Sequence, residues 1–285
     1  MISPSPTPAP RKASLIIPTY NREELLVGSL RDALDSDYPN LEIIVVDQTP
    51  RHKTETEEFL KSMEGRLVWI RAREPGLPKA RNAGLRKASG DYIIFTDDDV
   101  RFGRDFVSRH VRELENGADV VQGRIVEGAG NPGEAPQWMS FWIRVSGTND
   151  CPRAGDTNTL TGCNFSLRRA VYEKIGGFDE RLLNPSLLED GDWAIRAHKA
   201  GFHLRYSPLP ALRHLRSGEG GVDTGIENQF LAKNYYLCCF LYAYKNHHPL
   251  AALNYTLRLH LRGLKALFRT IRAARREARD LLARP

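Results

Sequence analysis

The chain is 285 residues long, 41% hydrophobic and 27% charged, with a formal net charge of +6. That is enough chain to bury a core in one large domain or two small ones, so its four cysteines are not needed as disulfide staples and read as reduced thiols of a cytosolic protein. The positive excess is local: residues 250–285 hold nine Lys/Arg and two Asp/Glu, a balance of +7, and the rest sums to −1, which argues against a nucleic-acid-binding body.

The opening MISPSPTPAPRK is rich in Pro and Ser, lacks the apolar core of a signal peptide and reads as a disordered leader over residues 1–12. Ala13 to Pro18 (ASLIIP) predicts a buried strand. Leu26, Leu30, Ala33 and Leu34 mark a helix over Glu23 to Leu34. Leu41 to Val46 is a second strand, Thr54 to Met63 a polar helix and Leu67 to Arg71 a third strand. A helix over Pro78 to Ala88 closes at Gly90, and Tyr92 to Thr96 is a fourth strand. Asp105 to Glu115 predicts another helix and Ala118 to Val126 another strand.

Beyond a Gly/Pro loop over Gly128 to Pro136, the segment Gln137 to Val145 carries Trp138, Phe141 and Trp142 and reads as a helix or lid. Thr161 to Leu167 and Tyr206 to Leu212 read as strands, and Asp190 to Ala200 as a helix. Ile226 to Lys245 and Ala251 to Ala283 read as helices parted by Pro249. No run approaches the ~18 apolar residues of a membrane span.

Solid apolar strands, each followed by a helix, predict a mostly parallel α/β sheet covered on both faces. Ligands of such sheets bind beyond the carboxyl ends of the strands. Pro18-Thr19-Tyr20-Asn21, Asp47 and Asp97-Asp98-Asp99 all fall there. Three adjacent carboxylates repel one another, and hard cations such as Mn²⁺ or Mg²⁺ with phosphate oxygens offset that repulsion. An acidic turn capping the next helix is the plainer reading. Asp97-x-Asp99 also fits the start of the haloacid-dehalogenase phosphatases, although theirs ends the first strand and this one the fourth. No GxGxxG follows the first strand, and no zinc-binding spacing is present.

The neighbouring motifs decide between these. Pro75-Gly76-Leu77-Pro78-Lys79-Ala80-Arg81-Asn82-Ala83-Gly84 lies upstream, with Gly162-Cys163-Asn164-Phe165-Ser166-Leu167-Arg168-Arg169, Gly176-Gly177-Phe178-Asp179-Glu180 and Glu189-Asp190-Gly191-Asp192-Trp193 downstream. With IIPTYNR, VVDQT and FTDDD they stand in order over about Ser14 to Leu215 and resemble the family 2 glycosyltransferases. The resemblance implies a GT-A (Rossmann-like) domain over residues 13–225, with a nucleotide-binding half to 126, an acceptor half, and C-terminal helices over 226–285. It implies that Pro18, Tyr20, Asn21 and Asp47 hold the nucleotide, that Arg81 flanks base or diphosphate, that Asp97 contacts the ribose, that Asp99 holds Mn²⁺ or Mg²⁺ with Asp97 and His214, and that Asp98 supports either the nucleotide-sugar or the metal role. Asp190 falls on the catalytic base, with Glu189 orienting the acceptor. A single base and one displacement imply an inverting, metal-dependent transfer from a UDP, GDP or dTDP sugar to a saccharide or lipid-linked acceptor, of the kind that builds surface polysaccharide or glycolipid; retention stays open. The Gly-rich stretch Gly218 to Gly225 would close over the donor.

Arg258, Arg262, Lys265, Arg269, Arg272, Arg276 and Arg279 form one stripe on a helix, beside Leu257, Leu261, Leu264, Phe268 and Ile271. A cationic stripe beside an apolar one predicts a helix lying on an anionic membrane, here the cytoplasmic face. Packing on the domain and oligomer contact are the alternatives. Nucleic acid is not expected, since aromatics do not interleave the charges.

Overall fold

A computed structural model of the protein describes residues 9–128, 132–182, 188–215 and 241–258. The leader up to residue 8, the Gly218–Gly225 stretch and most of the residues expected to form the two C-terminal helices, including the basic stripe beyond Arg258, lie outside the described residues.

The apolar runs of the first hundred residues fold as β1 (Ala13–Thr19), β2 (Leu41–Asp47), β3 (Val68–Arg71) and β4 (Tyr92–Thr96). Between them lie α1 (Glu24–Leu34), α2 (Thr54–Ser62) and α3 (Leu77–Lys87). A short β5 (Val100–Phe102), α4 (Phe106–Glu115) and β6 (Val120–Val126) follow. Then come β7 (Trp138–Met139), β8 (Val145–Ser146), β9 (Gly155–Asp156), β10 (Asn164–Arg168), α5 (Arg169–Ile175), α6 (Glu189–Lys199) and β11 (Leu204–His214). The main sheet runs β3-β2-β1-β4-β10-β6-β11-β5, with β9 on the flank of β11. β1 to β4 are mutually parallel and β6 is parallel to β11, whereas β10 is antiparallel to β4 and β6, and β5 to β11.

Alternation along β1 divides the core. Leu15 and Ile17 face a layer with Leu26 and Leu30 of α1, Leu60 of α2 and Phe106, Val107 and Val111 of α4. Ile16 faces the other layer, with Ala80 and Leu85 of α3, Val171 of α5 and Trp193, Ala194 and Ala197 of α6. Both faces are therefore covered, which is why the strands are apolar throughout. α3 lies so close to β1 that a Cβ on Gly84 would stand 2.4 Å from Ile16 Cγ2.

One expectation needs correction. Residues 137–145 form no helix. Trp138 pairs with Ser146 and Met139 with Val145 in an antiparallel hairpin, turned at Ile143, whose φ of 56° a helix does not allow. The sheet is mostly parallel, as expected, and the strand expected over Thr161 to Leu167 is β10, which inserts antiparallel between β4 and β6. Residues 241–246 and 249–258 are helical and pack on this hairpin and on α6: Met139, Ile143, Ile195, Tyr242, Ala243, Ala251 and Ala252 are buried together.

Candidate active site

The carboxyl ends of β1, β2, β4, β6 and β11 meet at one rim, and antiparallel β10 begins there. β4 ends at Thr96, so Asp97 to Asp99 make the turn into β5. Val100 pairs with His214, which brings the end of β11 against this turn.

The three aspartates part company. Asp98 turns inward, 4% exposed, and accepts from Thr19 Oγ1 at 2.6 Å and Arg22 Nη1 at 2.8 Å, one on each oxygen. Burial dominates its carboxyl and raises its pKa to about 6 against the pull of Arg22. Ser29 Oγ lies 2.8 Å from the carbonyls of both Asp98 and Val100 and pins the turn to α1. Asp99 Oδ2 pairs with the same Arg22 Nη1 at 2.8 Å. Asp99 Oδ1 is buried without a hydrogen-bond partner, 3.3 Å from His214 Nε2. Burial would raise this carboxyl, but His214 and Arg22 outweigh it and hold it below its ordinary value. Asp97 is the open one, its side chain 25% exposed, with Arg81 Nη2 at 3.5 Å.

Residues 20 and 21 sit at the mouth between β1 and β2: Tyr20 is half-buried, and Asn21 takes a left-handed φ of 52°, which Asn tolerates. The Asn21 amide donates to Thr49 Oγ1 at 2.9 Å. Pro18 is buried inside β1, beyond the last β1–β4 pair at Ile16 and Phe95. Asp47 is 1% exposed. Its Oδ2 meets His52 Nε2 at 2.8 Å and Trp69 Nε1 at 2.9 Å, and its Oδ1 accepts from the Thr49 amide. A carboxylate oxygen accepts two bonds, so one acceptor position on Oδ1 is left by these contacts.

Arg81 ties the acidic turn to α6. Its guanidinium is almost fully buried, and Nη1 donates to Glu189 Oε1 at 2.8 Å. It lies flat against Gly162, where a Cβ would stand 2.0 Å from Nη2. Asn82 grips the Gly176-Gly177-Phe178 turn through the Phe178 carbonyl and amide, at 2.9 and 2.8 Å, so the KARN and GGFDE motifs serve one another structurally. Glu189 is 2% exposed, with Oε2 unpartnered. Burial, then the charge of Asp190, pushes its carboxyl up to about 7. Asp190 is half-open, held by the Gly162 amide at 2.9 Å and the Gly191 amide at 2.7 Å, and burial raises it too. Asp192, by contrast, is wholly buried between Arg196, Lys245 and Asn246. Leu188, with φ 77°, places strain immediately before the pair.

The residues fit a divalent cation. An orphaned buried oxygen on Asp99 stands beside an imidazole, and donor atoms of Asp97, Cys163 and His214 lie within 4.8 Å of one another. Sequence reasoning assigned no role to Arg22, His52 or Cys163 and named Thr19 only as part of the rim. Arg22 was signalled by its place in the TYNR motif beside the acidic turn, whereas nothing in the spacing announced Cys163.

Residues 14–176 match the family described as Glycosyl transferase family 2, more than half of the chain. The chain belongs to this family, which sets aside the phosphatase alternative for Asp97-x-Asp99. It is 28% identical over 226 residues to Probable glycosyltransferase YdaM of Bacillus subtilis, covering 69% of this chain and 49% of that one. Among solved structures, S. aureus TarS 1-349 in complex with UDP-GlcNAc superposes with a TM-score of 0.57 at 20% identity, over 81% of this chain and 66% of that one. GalNAc-T7 with UDP, GalNAc and Mn2+ gives 0.62 at 15%, over 80% and 48%. These two likenesses bear on the fold, which is of the GT-A kind. The chain spans about half the length of YdaM.

Proposed function

We propose that the protein transfers a sugar from a nucleoside-diphosphate sugar to a hydroxyl of a saccharide or lipid-linked acceptor, with inversion, as in surface polysaccharide or glycolipid synthesis. The observation that carries this is the half-open Asp190 carboxylate, joined through Glu189 and Arg81 to Asp97 on the acidic turn. Asp190 takes the proton of the acceptor hydroxyl. The hydroxyl oxygen bonds to the anomeric carbon while the bond from that carbon to the diphosphate oxygen breaks, its electron pair leaving with the nucleoside diphosphate. Asp99, Asp97 and His214 would hold Mn²⁺ or Mg²⁺, which when bound neutralises charge on the diphosphate. Tyr20 would stack on the base, with Asn21 and the spare acceptor position of Asp47 beside it. That GalNAc-T7 is seen with Mn2+ and TarS with UDP-GlcNAc supports this reading. The test is a thermal-shift titration with UDP, GDP and dTDP, with and without Mn²⁺. One nucleotide should raise the midpoint in a metal-dependent way, and Asp99→Ala should abolish the rise. No shift with any of the three sinks the donor site.

For the acceptor, a lipid-linked saccharide on the cytoplasmic face of a membrane is favoured by one surface. Trp138, Phe141, Trp142 and Val145 of the hairpin are exposed, as are Leu250, Leu253 and Leu257 of the helix at 249–258. Phe141 lies 5.9 Å from the His248 ring, and the Arg258 guanidinium donates to the Trp142 carbonyl, so the two apolar faces adjoin. Trp and Leu beside a basic segment suit an anionic bilayer surface. Among the described residues no helix is long and apolar enough to cross a membrane. The full chain should co-sediment with phosphatidylserine vesicles and lose at least about tenfold in partitioning on Phe141→Ser/Trp142→Ser, some ~1.4 kcal/mol. Equal sedimentation of both proteins removes the hairpin from the membrane contact.

A further inference from the structure

We infer that Cys163 is a ligand of the divalent-cation site: with Asp97 and His214 it makes a mixed oxygen, sulfur and nitrogen set that holds a thiophilic ion of the Zn²⁺ class more tightly than Mn²⁺ or Mg²⁺. The inference deepens the cation reading above and takes from it only the place of the site.

The fold brings Cys163 there by register. In the β10–β4 ladder Asn164 pairs with Thr96, so the next step of the antiparallel register sets Cys163 opposite Asp97 at the start of the acidic turn. Cross-strand partners point to one face. His214 reaches the same spot from the end of β11, held there by the β11–β5 pairing. The donor atoms of the three then lie within 4.8 Å of one another. Zn²⁺ sits ~2.0–2.3 Å from oxygen, nitrogen or sulfur donors, which places neighbouring tetrahedral ligands roughly 3.5 Å apart. Closing the remainder takes small side-chain rotations, and the two half-open side chains, Asp97 and His214, have room for them, whereas Cys163 is 5% exposed and fixed in the core.

A second observation comes from the neighbouring carboxylate. Asp99 Oδ1 is buried, has no hydrogen-bond partner and lies 3.3 Å from His214 Nε2. His214 is the group that offsets this buried charge, and a cation bound by His214 takes over that part. Asp99 borders the site through His214 and stands outside the three-ligand set.

Donor chemistry then sets the choice of ion. An all-carboxylate site suits Mg²⁺ and Mn²⁺, whereas one thiolate shifts preference toward Zn²⁺ and its softer relatives, which already lead in the general affinity order. Ligation replaces the S–H bond by an S–metal bond, and the thiol proton leaves to solvent.

The experiment uses the full chain stripped of metal. Cd²⁺ is titrated while the ultraviolet sulfur-to-cadmium charge-transfer band is followed, and Zn²⁺ is titrated in competition with Mn²⁺ against a chromophoric chelator. With Cys238 and Cys239 replaced by Ser throughout, since that adjacent thiol pair would bind Cd²⁺ by itself, the otherwise wild-type protein should develop the band with about one equivalent, C151S should match it, and H214A should weaken it. C163S should lose it, and its preference for Zn²⁺ over Mn²⁺ should fall about tenfold or more. C163A, checked for folding by far-ultraviolet circular dichroism, should behave as C163S. A full band in C163S, or an unchanged ion preference, overturns the inference. A wild-type band without any nucleotide stabilisation in Mn²⁺ would instead sink the donor-site reading and leave this one standing.

Discussion

Asp190→Asn is expected to lower kcat by about 10³-fold while leaving nucleotide binding intact. The amide keeps the shape and its oxygen can still accept from the Gly162 amide, which now lies 2.9 Å from Oδ2. What it cannot do is take a proton from the acceptor. KM for the donor should stay within about twofold, because Asp190 stands on α6 and the proposed donor contacts stand at the ends of β1 and β2 and on the acidic turn. Initial-rate kinetics with the donor named by the thermal-shift titration measure this. A kcat within tenfold of wild type would remove Asp190 from the base role. Glu189→Gln separates its neighbour: Glu189 is closed off behind Arg81 and is proposed as a positioning residue, so its loss should cost less than that of Asp190.

The reading of Asp190 over Asp192 shows what the sequence can and cannot say. Both lie in the first turn of a helix, where any carboxylate is favoured by the dipole. Only the structure separates them, since Asp192 is consumed by Arg196, Lys245 and Asn246 and Asp190 is not. The first four strands were legible because each is a continuous apolar run buried on both faces. β5 was not, since three residues beside an acidic turn carry no period. β10 was seen as a strand, but its antiparallel direction is set by long-range pairing with β4 and β6 that no local pattern encodes. The hairpin was misread because Trp138, Phe141 and Trp142 have helical spacing, and the left-handed Ile143 that breaks it leaves no residue-type signal. The same limit hid Cys163: its neighbour Asp97 is 66 positions away, and register alone joins them.

Above about pH 7, where Glu189 is ionised, Arg81→Met should destabilise the protein by about 3–5 kcal/mol, the usual consequence of removing one partner from a buried ion pair. The side chain of Arg81 is 2% exposed and that of Glu189 3%, so little solvent screens their 2.8 Å contact. Removing the guanidinium leaves Glu189, Asp97 and Asp190 as neighbouring carboxyls with no cation between them. A chemical denaturation series should show the loss in the midpoint, and a loss under 1 kcal/mol would mean that the pair is not closed to water. The pH dependence gives an independent check on the same group. Glu189 has its folded pKa raised from the ordinary 4.5 to about 7, by burial first and by Asp190 second. Between about pH 4.5 and 7 the folded protein therefore binds more protons than the unfolded chain, and this group's contribution to stability falls as pH rises through that window. Glu189→Gln removes that contribution. His110, buried neutral with its pKa lowered to about 4, and Asp98, raised to about 6, titrate in both proteins and cancel in the comparison. The wild-type midpoint minus that of Glu189→Gln should accordingly decline from pH 5 to pH 8, and a flat or rising difference would show that Arg81 keeps Glu189 ionised throughout.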